Sequence, residues 1–493
     1  MVKQPFYHST RGNEEKAPKE AILQGIAKDG GLFVWDGLDE VKIVLEDFLK
    51  LEYKGMVKVL FKELLWDYSE EELQQCADQA YDGRFDDEKI TPLVMAGSQP
   101  VLELFHGPTS AFKDVALCML PQLMSKALQG RDEKVMILTA TSGDTGKAAL
   151  SGFQDAENIA ITVFYPRGKV SNIQRLQMVT QPGKNVCVCA IEGNFDDAQS
   201  GVKRLFQSDM AKQLKEKEHV VLSSANSINI GRLIPQIVYY FSAYRQLLEK
   251  NEIAMGDKVS FCVPTGNFGN VLAGYYAKLM GLPVAHLVVA ANENKVLDDF
   301  LRSGVYDRNR PFHTTISPSM DILISSNLER MLYYMCGKDS EKVKGWMDDL
   351  AKYGRYQVDE QTLSKIREIF VSGHCDNADT FEEIYRVYDA CGYVMDPHTA
   401  VGSYVLRQLQ LKEKCVLLST ASPYKFTRDV LKALKEQPSD DDFVCMEQLS
   451  DYAKTVIPQG LYSLKDKEER FSDVISCEKM DAYVEEKTKE LLV

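Results

Sequence analysis

Residues 106–120, HGPTSAFKDVALCML, set one lysine inside a run that is otherwise small and apolar. The turn residues Gly107 and Pro108 precede it, so a helix is expected from about Thr109 or Ser110. On that helix Lys113 shares a face with Ala116, Leu117 and Leu120, while the next face carries Phe112, Val115 and Met119. A helix apolar around most of its circumference belongs inside a protein. Asp114 points about 100° away and makes a poor counter-ion. An unpaired ammonium in dry surroundings is costly, so the amine shifts toward its uncharged, nucleophilic form. The plainer alternative is a lysine stem lying on apolar surface with its head in water.

Three further stretches could hold phosphate: residues 142–146 (SGDTG), residues 226–229 (NSIN) followed by Arg232, and residues 266–270 (GNFGN). Each joins an apolar run to a helical pattern, where unpaired amides and the helix dipole favour anions. Glycine lets backbone approach a ligand closely, and the hydroxyls and side-chain amides add uncharged donors. No stretch fits G-x-G-x-x-G, and GDTGKA lacks the spacing and hydroxyl of a Walker A loop, so nucleotide binding is disfavoured. A buried amine beside a phosphate-binding turn is what pyridoxal phosphate requires.

The elements that would position these residues alternate. KVMILTA, IAITVFYP, NVCVCAIEG, HVVLSS, KVSFCVP and AHLVVAAN read as short strands, each followed by a helical segment, and FDDAQSGVKRLFQSDMAKQLKEK reads as one long helix. This is an α/β pattern of doubly wound, mostly parallel sheets with crossover helices. Residues 1–95 read as a helix-rich N-terminal domain. Residues 96–430 read as a catalytic body, with a smaller α/β subdomain at about 130–225 inserted in the larger one. Residues 431–493 read as a C-terminal extension.

The 493 residues carry 58 basic and 72 acidic side chains, a net charge of −14, which disfavours nucleic acid or an anionic membrane as partner. No run of 18 apolar residues occurs and the N-terminal stretch has no apolar signal core, so a cytoplasmic protein is expected. The eleven cysteines form no Cys-x-x-Cys pair. Cys187 and Cys189 share one side of a strand without a second pair to complete a zinc set, so free thiols and no metal are expected.

The lysine motif HGPTSAFKD resembles that of the threonine synthases, pyridoxal phosphate enzymes of the tryptophan synthase β-like fold. So do YHSTRG, AILQGIAKDGGLFV, TATSGDTGKAA, YPRGKVSNIQRLQM, NSINIGRLIPQ, VPTGNFGN, SPSMDILISSNLERML, DPHTAVG and STASPYKF, in the same order and covering the chain to about residue 430. The resemblance implies that Lys113 forms the Schiff base and moves protons, and that Gly266, Asn267, Phe268, Gly269 and Asn270 hold the cofactor phosphate. It places Thr420 at the pyridine nitrogen, and Ser142, Thr145, Asn226, Ser227 and Arg232 around the substrate phosphate. Asp144 would lie near the phenolic oxygen, cap the following helix, or do both. The implied reaction converts O-phospho-L-homoserine and water into L-threonine and phosphate by γ-elimination and β-replacement.

Two positions depart from the family pattern: Ser422 stands where an imidazole is common, and Ser110 where an apolar residue is usual. His106 and His398 read as structural. Rival readings are a phospholyase that releases 2-oxobutyrate, a dehydratase of free serine or threonine, for which Arg232 would have little purpose, and a non-catalytic binding protein on the same scaffold.

Overall fold

The computed structural model describes residues 6–41, 43–141, 143–206 and 208–493. Its larger sheet has six strands, ordered Phe370–His374, Val284–Ala291, Val259–Pro264, Cys415–Ser419, Gln99–Glu103 and Leu93–Ala96. Its neighbours run parallel except for the last pair, which is antiparallel. The smaller sheet is parallel throughout, ordered Val474–Ser476, Val186–Glu192, Ile159–Pro166, Lys134–Ala140 and Val220–Ser223. Strands such as Ile159–Pro166, buried at every position, are continuous apolar runs because both faces of the sheet are covered. The helix Ile230–Glu249 is buried over most of its length and packs on Gly269–Leu279, Tyr53–Leu64 and Lys113–Leu117.

Several elements differ from expectation. The lysine helix begins at Lys113 itself, four residues late, because the preceding segment is otherwise engaged. Ser110 takes a left-handed φ of 58°, Phe112 N donates to Thr420 O at 2.8 Å, and Ser422 N donates to Ser110 O at 3.1 Å. Backbone groups spent on a neighbouring loop cannot also close a helical turn. The single long helix after Glu192 is two, Phe195–Phe206 and Asp209–Glu218, the second capped by Ser208, whose side chain accepts from Ala211 N. The helix-rich N-terminal segment also holds a small antiparallel sheet of Tyr7–Ser9, Glu15–Lys16 and Phe33–Val34, strands too short to show alternation.

The C-terminal segment reaches the smaller sheet. Val474–Ser476 adds a strand beside Val186–Glu192, and Met480 and Val484 of the helix Met480–Leu492 pack with Leu138, Phe164 and Ile191. On the way, Glu469 pairs with both terminal nitrogens of Arg175 at 2.7 and 2.6 Å, and Arg470 donates to Gly183 O at 3.0 Å.

Candidate active site

The fold turns Lys113 inward. Its Nζ lies 3.4 Å from Asp144 Oδ2, 3.3 Å from Ser319 Oγ and 5.0 Å from the Phe112 ring centre, and its side chain is 11% exposed. Burial pushes the amine below the ordinary lysine range; Lys425 and Arg232 add to that push and Asp144 opposes it. The expectation that the lysine lacks a counter-ion is therefore corrected. Asp114 is engaged elsewhere, accepting from Thr109 N and Oγ1 at 2.8 and 2.6 Å, but Asp144 arrives from the turn after Lys134–Ala140.

Asp144 is the hub of the site. Gly143 occupies the N-cap of the helix Asp144–Phe153, so the aspartate is the first helical residue rather than the cap. Its Oδ1 faces Lys425 Nζ at 2.6 Å and accepts from Gln174 Nε2 at 2.9 Å, while Oδ2 accepts from Ser319 Oγ at 3.2 Å. Burial alone would raise this carboxyl; the lysines beside it, Lys425 foremost, outweigh it and hold the group well below the usual carboxylate range. Lys425, Gln174 and Ser319 were not singled out by the sequence. Each lies inside a stretch carrying the family resemblance, yet no local pattern marks it, because each meets Asp144 only through tertiary packing.

The turn at residues 266–270 follows the strand Val259–Pro264 and opens the helix Gly269–Leu279. A Cβ on Gly266 would lie 2.5 Å from Ser319 O, so only glycine fits, and this contact places the turn beside the lysine. Carbonyls of the turn are tied back into the protein. Ser325 Oγ donates to Gly266 O at 2.7 Å, and Asn327 N and Nδ2 both donate to Asn267 O at 3.1 Å. Phe268 has a left-handed φ of 61°. Tyr239 and Tyr240 donate to Asn270 Oδ1 at 2.6 and 2.9 Å, which fixes the amide and leaves its buried Nδ2 without a protein partner.

The turn at 226–229 abuts this one: a Cβ on Gly269 would lie 3.6 Å from Ser227 Cβ. Arg232 is 3% exposed, donates from Nη1 to Ala225 O at 2.5 Å and keeps a buried Nε without a partner. Burial lowers its pKa to about 10. The buried Oδ1 of Asn226 also lacks a partner. Arg330 locks the two turns together, donating from Nη2 to Ile228 O at 2.6 Å and from Nη1 to Ser227 O at 3.4 Å, and also pairing with Asn327. Thr420, buried at 5% exposure, sits beside the lysine through its carbonyl bond to Phe112 N. Thr145 is half-buried on the first turn of its helix, and Ser142 lies outside the described residues.

The two histidines have structural partners. His398 Nε2 accepts from Ser319 N at 3.1 Å, so its proton sits on Nδ1 and is donated to Asp396 Oδ1 at 2.7 Å. This chain braces the loop that carries Ser319. His106 pairs with Asp86 and Glu103 at 2.5 and 2.9 Å; burial opposes its charge, but the two acids prevail and raise it to about 9.

Orphaned donors on Asn270 and Arg232, a glycine with no room for a side chain, and a buried amine fit a phosphorylated aldehyde, with space near Arg232 for a second anion. Comparison with known proteins gives the same grouping. The pattern of the family described as pyridoxal-phosphate dependent enzyme matches residues 100–420, that of the threonine synthase N terminus residues 6–81, and that of the threonine synthase C-terminal region residues 399–484. Threonine synthase-like 1 of Macaca fascicularis is 38% identical over 438 residues, 84% of this chain and 58% of that protein, so the chain spans under two thirds of that relative's length. Threonine synthase of Saccharomyces cerevisiae is 38% identical over 467 residues, covering 87% of this chain and 89% of its own. A crystal structure of PLP-bound threonine synthase from Brucella melitensis superposes with a TM-score of 0.87 at 36% identity, over 98% of this chain and 100% of its own. The chain belongs to the threonine synthase family of pyridoxal phosphate dependent enzymes.

Proposed function

We propose that this protein is a threonine synthase, converting O-phospho-L-homoserine and water into L-threonine and phosphate. The observation that carries the reading is the position of Arg232: a buried guanidinium that forms no ion pair among the described residues, on the turn that abuts residues 266–270. A site that needed to hold only the cofactor's phosphate would have no use for this second fixed cation, whereas a phosphorylated substrate does.

Bound pyridoxal phosphate supplies the electron sink that makes hydrogens near the amino-bearing carbon of a substrate removable. Gly266, Asn267, Phe268, Gly269 and Asn270 would hold its phosphate, Thr420 would offer a neutral hydroxyl to its ring nitrogen, and Asp144 would serve its phenolic oxygen. Lys113, whose charged form burial disfavours, takes the proton from the α-carbon, releases it, and then takes one from the β-carbon as phosphate leaves the γ-carbon with the bonding electron pair. Asn226, Ser227 and Arg232, together with Ser142 and Thr145, bind the substrate phosphate and stabilise the charge that grows as it leaves. Water then gives its hydroxyl to the β-carbon and its proton to the released phosphate, while the two protons removed earlier return to the α- and γ-carbons.

In the same reading residues 1–95 form an N-terminal domain, 96–430 the catalytic body and 431–493 an extension to the smaller sheet. Among the described residues no helix is long and apolar enough to cross a membrane, and all eleven cysteines are free thiols. These features suit the cytoplasmic location that we include in the proposal.

The test is a visible spectrum of the purified protein with its cofactor, before and after O-phosphohomoserine, with products assayed. An absorbance band that responds to substrate and yields threonine and phosphate in equal amounts is expected. Mainly 2-oxobutyrate would assign the phospholyase reaction instead, and no cofactor band would favour a binding protein.

A further inference from the structure

Asp144 stands between two lysines and treats them unequally. Lys425 Nζ is 2.6 Å from Oδ1, and its side chain has no exposure; Lys113 Nζ is 3.4 Å from Oδ2 and 11% exposed. Lys425 ends the short 3₁₀ segment Pro423–Lys425 just past the strand Cys415–Ser419, and it also donates to Thr109 O at 3.0 Å. That carbonyl lies in the segment leading to Lys113. One ammonium thus engages both the carboxylate and the backbone from which the reactive amine projects.

One carboxylate facing two amines in a site largely closed to water can balance only one positive charge. The shorter contact, 2.6 Å against 3.4 Å, assigns that charge to Lys425, although burial by itself opposes any ammonium there. The other groups packed around the pair are Arg232, a fixed cation near Lys113, and Asp114 and Lys147, which face Lys425. Asp114 does not restore the balance for Lys113, because burial pushes that carboxyl up and both its oxygens are taken by Thr109.

We propose that Lys425 is a positioning residue for the reaction: by occupying Asp144 it leaves Lys113 as the uncharged amine, and by holding the Thr109 carbonyl it fixes the segment that presents that amine. The proposal rests on Lys113 being the residue that carries the cofactor. The directions of the shifts agree with it, since burial, Lys425 and Arg232 together hold the Lys113 amine down while Asp144 alone pulls it up. Removing the Lys425 charge frees Asp144 to pair with Lys113.

The experiment has two readouts. Borohydride reduction of the cofactor-loaded protein followed by peptide mapping locates the pyridoxyl group; a label on any residue other than Lys113 overturns the function reading and this proposal with it. The pH at which Lys113 becomes reactive is then measured on the full chain freed of cofactor, by trace labelling with acetic anhydride and mass spectrometry. Lys425→Met is expected to raise that midpoint by about one pH unit or more. Lys425→Arg should keep it near the parent value, and the double variant Lys425→Met, Asp144→Asn should return it there. An unchanged midpoint in Lys425→Met, or a rise that persists in the double variant, overturns the proposal. Should Lys425→Met not fold, Asp144→Asn alone decides: a midpoint at or below that of the parent supports the proposal, and a higher one overturns it.

Discussion

The turns TSGDTG and TGNFGN read almost alike, and both follow a parallel strand and open a helix, yet the fold gives them different electrostatic surroundings. The second contains no acid; its carbonyls are tied back by Ser325 and Asn327, and Asn270 is aimed by two tyrosines. The first carries Asp144, which draws Lys113, Lys425, Gln174 and Ser319 around one buried carboxylate. Strand-turn-helix geometry thus supplies donors in both places; in the proposed function each turn meets a phosphate, and the acid gives the first turn the added task of balancing cations.

Asn270→Asp should break this contrast most severely, by giving the second turn an acid without the lysines that manage it. Like charges at close range cost several kcal/mol, so cofactor affinity measured by fluorescence titration should fall by roughly 100-fold or more. Gly266→Ala comes next, because its Cβ meets the backbone oxygen of Ser319 at 2.5 Å, whereas a Cβ on Gly146 meets side chains of Thr141, Val163 and Met178. Overpacking of about 1–3 kcal/mol should weaken cofactor binding by ~10–100-fold for Gly266→Ala. Gly146→Ala should lower the melting temperature while leaving that affinity nearly unchanged; equal losses of affinity would erase the distinction between the turns.

The smallest change at the site is expected from Lys147→Met, on the helix that begins with Asp144. Burial, with Lys467 and Lys425 nearby, lowers this amine to about 7 while Asp114 opposes, and its Nζ donates to Gln181 Oε1. The unfolded amine titrates at about 10.4, so between those two values the unfolded chain binds more protons and stability rises with pH. Lys147→Met should remove that rise, adding several kcal/mol in urea unfolding at pH about 7 and little above pH about 10. A parent protein whose stability does not climb over this range would contradict the assignment.

Much of the site was legible because it is local. Lys113, Arg232 and the three turns announce themselves within a few residues of sequence, and the alternating strand and helix pattern places all three turns at strand ends. What escaped was non-local. Lys425 and Ser319 reach Asp144 from distant segments of the chain, and the counter-ion of Lys113 was missed because helical spacing can dismiss Asp114 but says nothing about other elements. The late start of the lysine helix has the same origin, since the Phe112 amide and the Ser110 carbonyl are spent on residues near Thr420. The N-terminal sheet was hidden by strands of two or three residues, where period-two patterning has no length in which to appear.

The strand Val474–Ser476 sets an order of events for biosynthesis. The edge of Val186–Glu192 is covered only when a segment translated long afterwards arrives, so on the ribosome the smaller sheet must wait, one flank open, while the remaining four strands of the larger sheet are made. An uncovered strand edge of apolar sequence is a template for pairing between chains. Nascent protein lacking this segment should therefore be a client for chaperones, and truncation before residue 474 should yield aggregates rather than a soluble enzyme with a local defect.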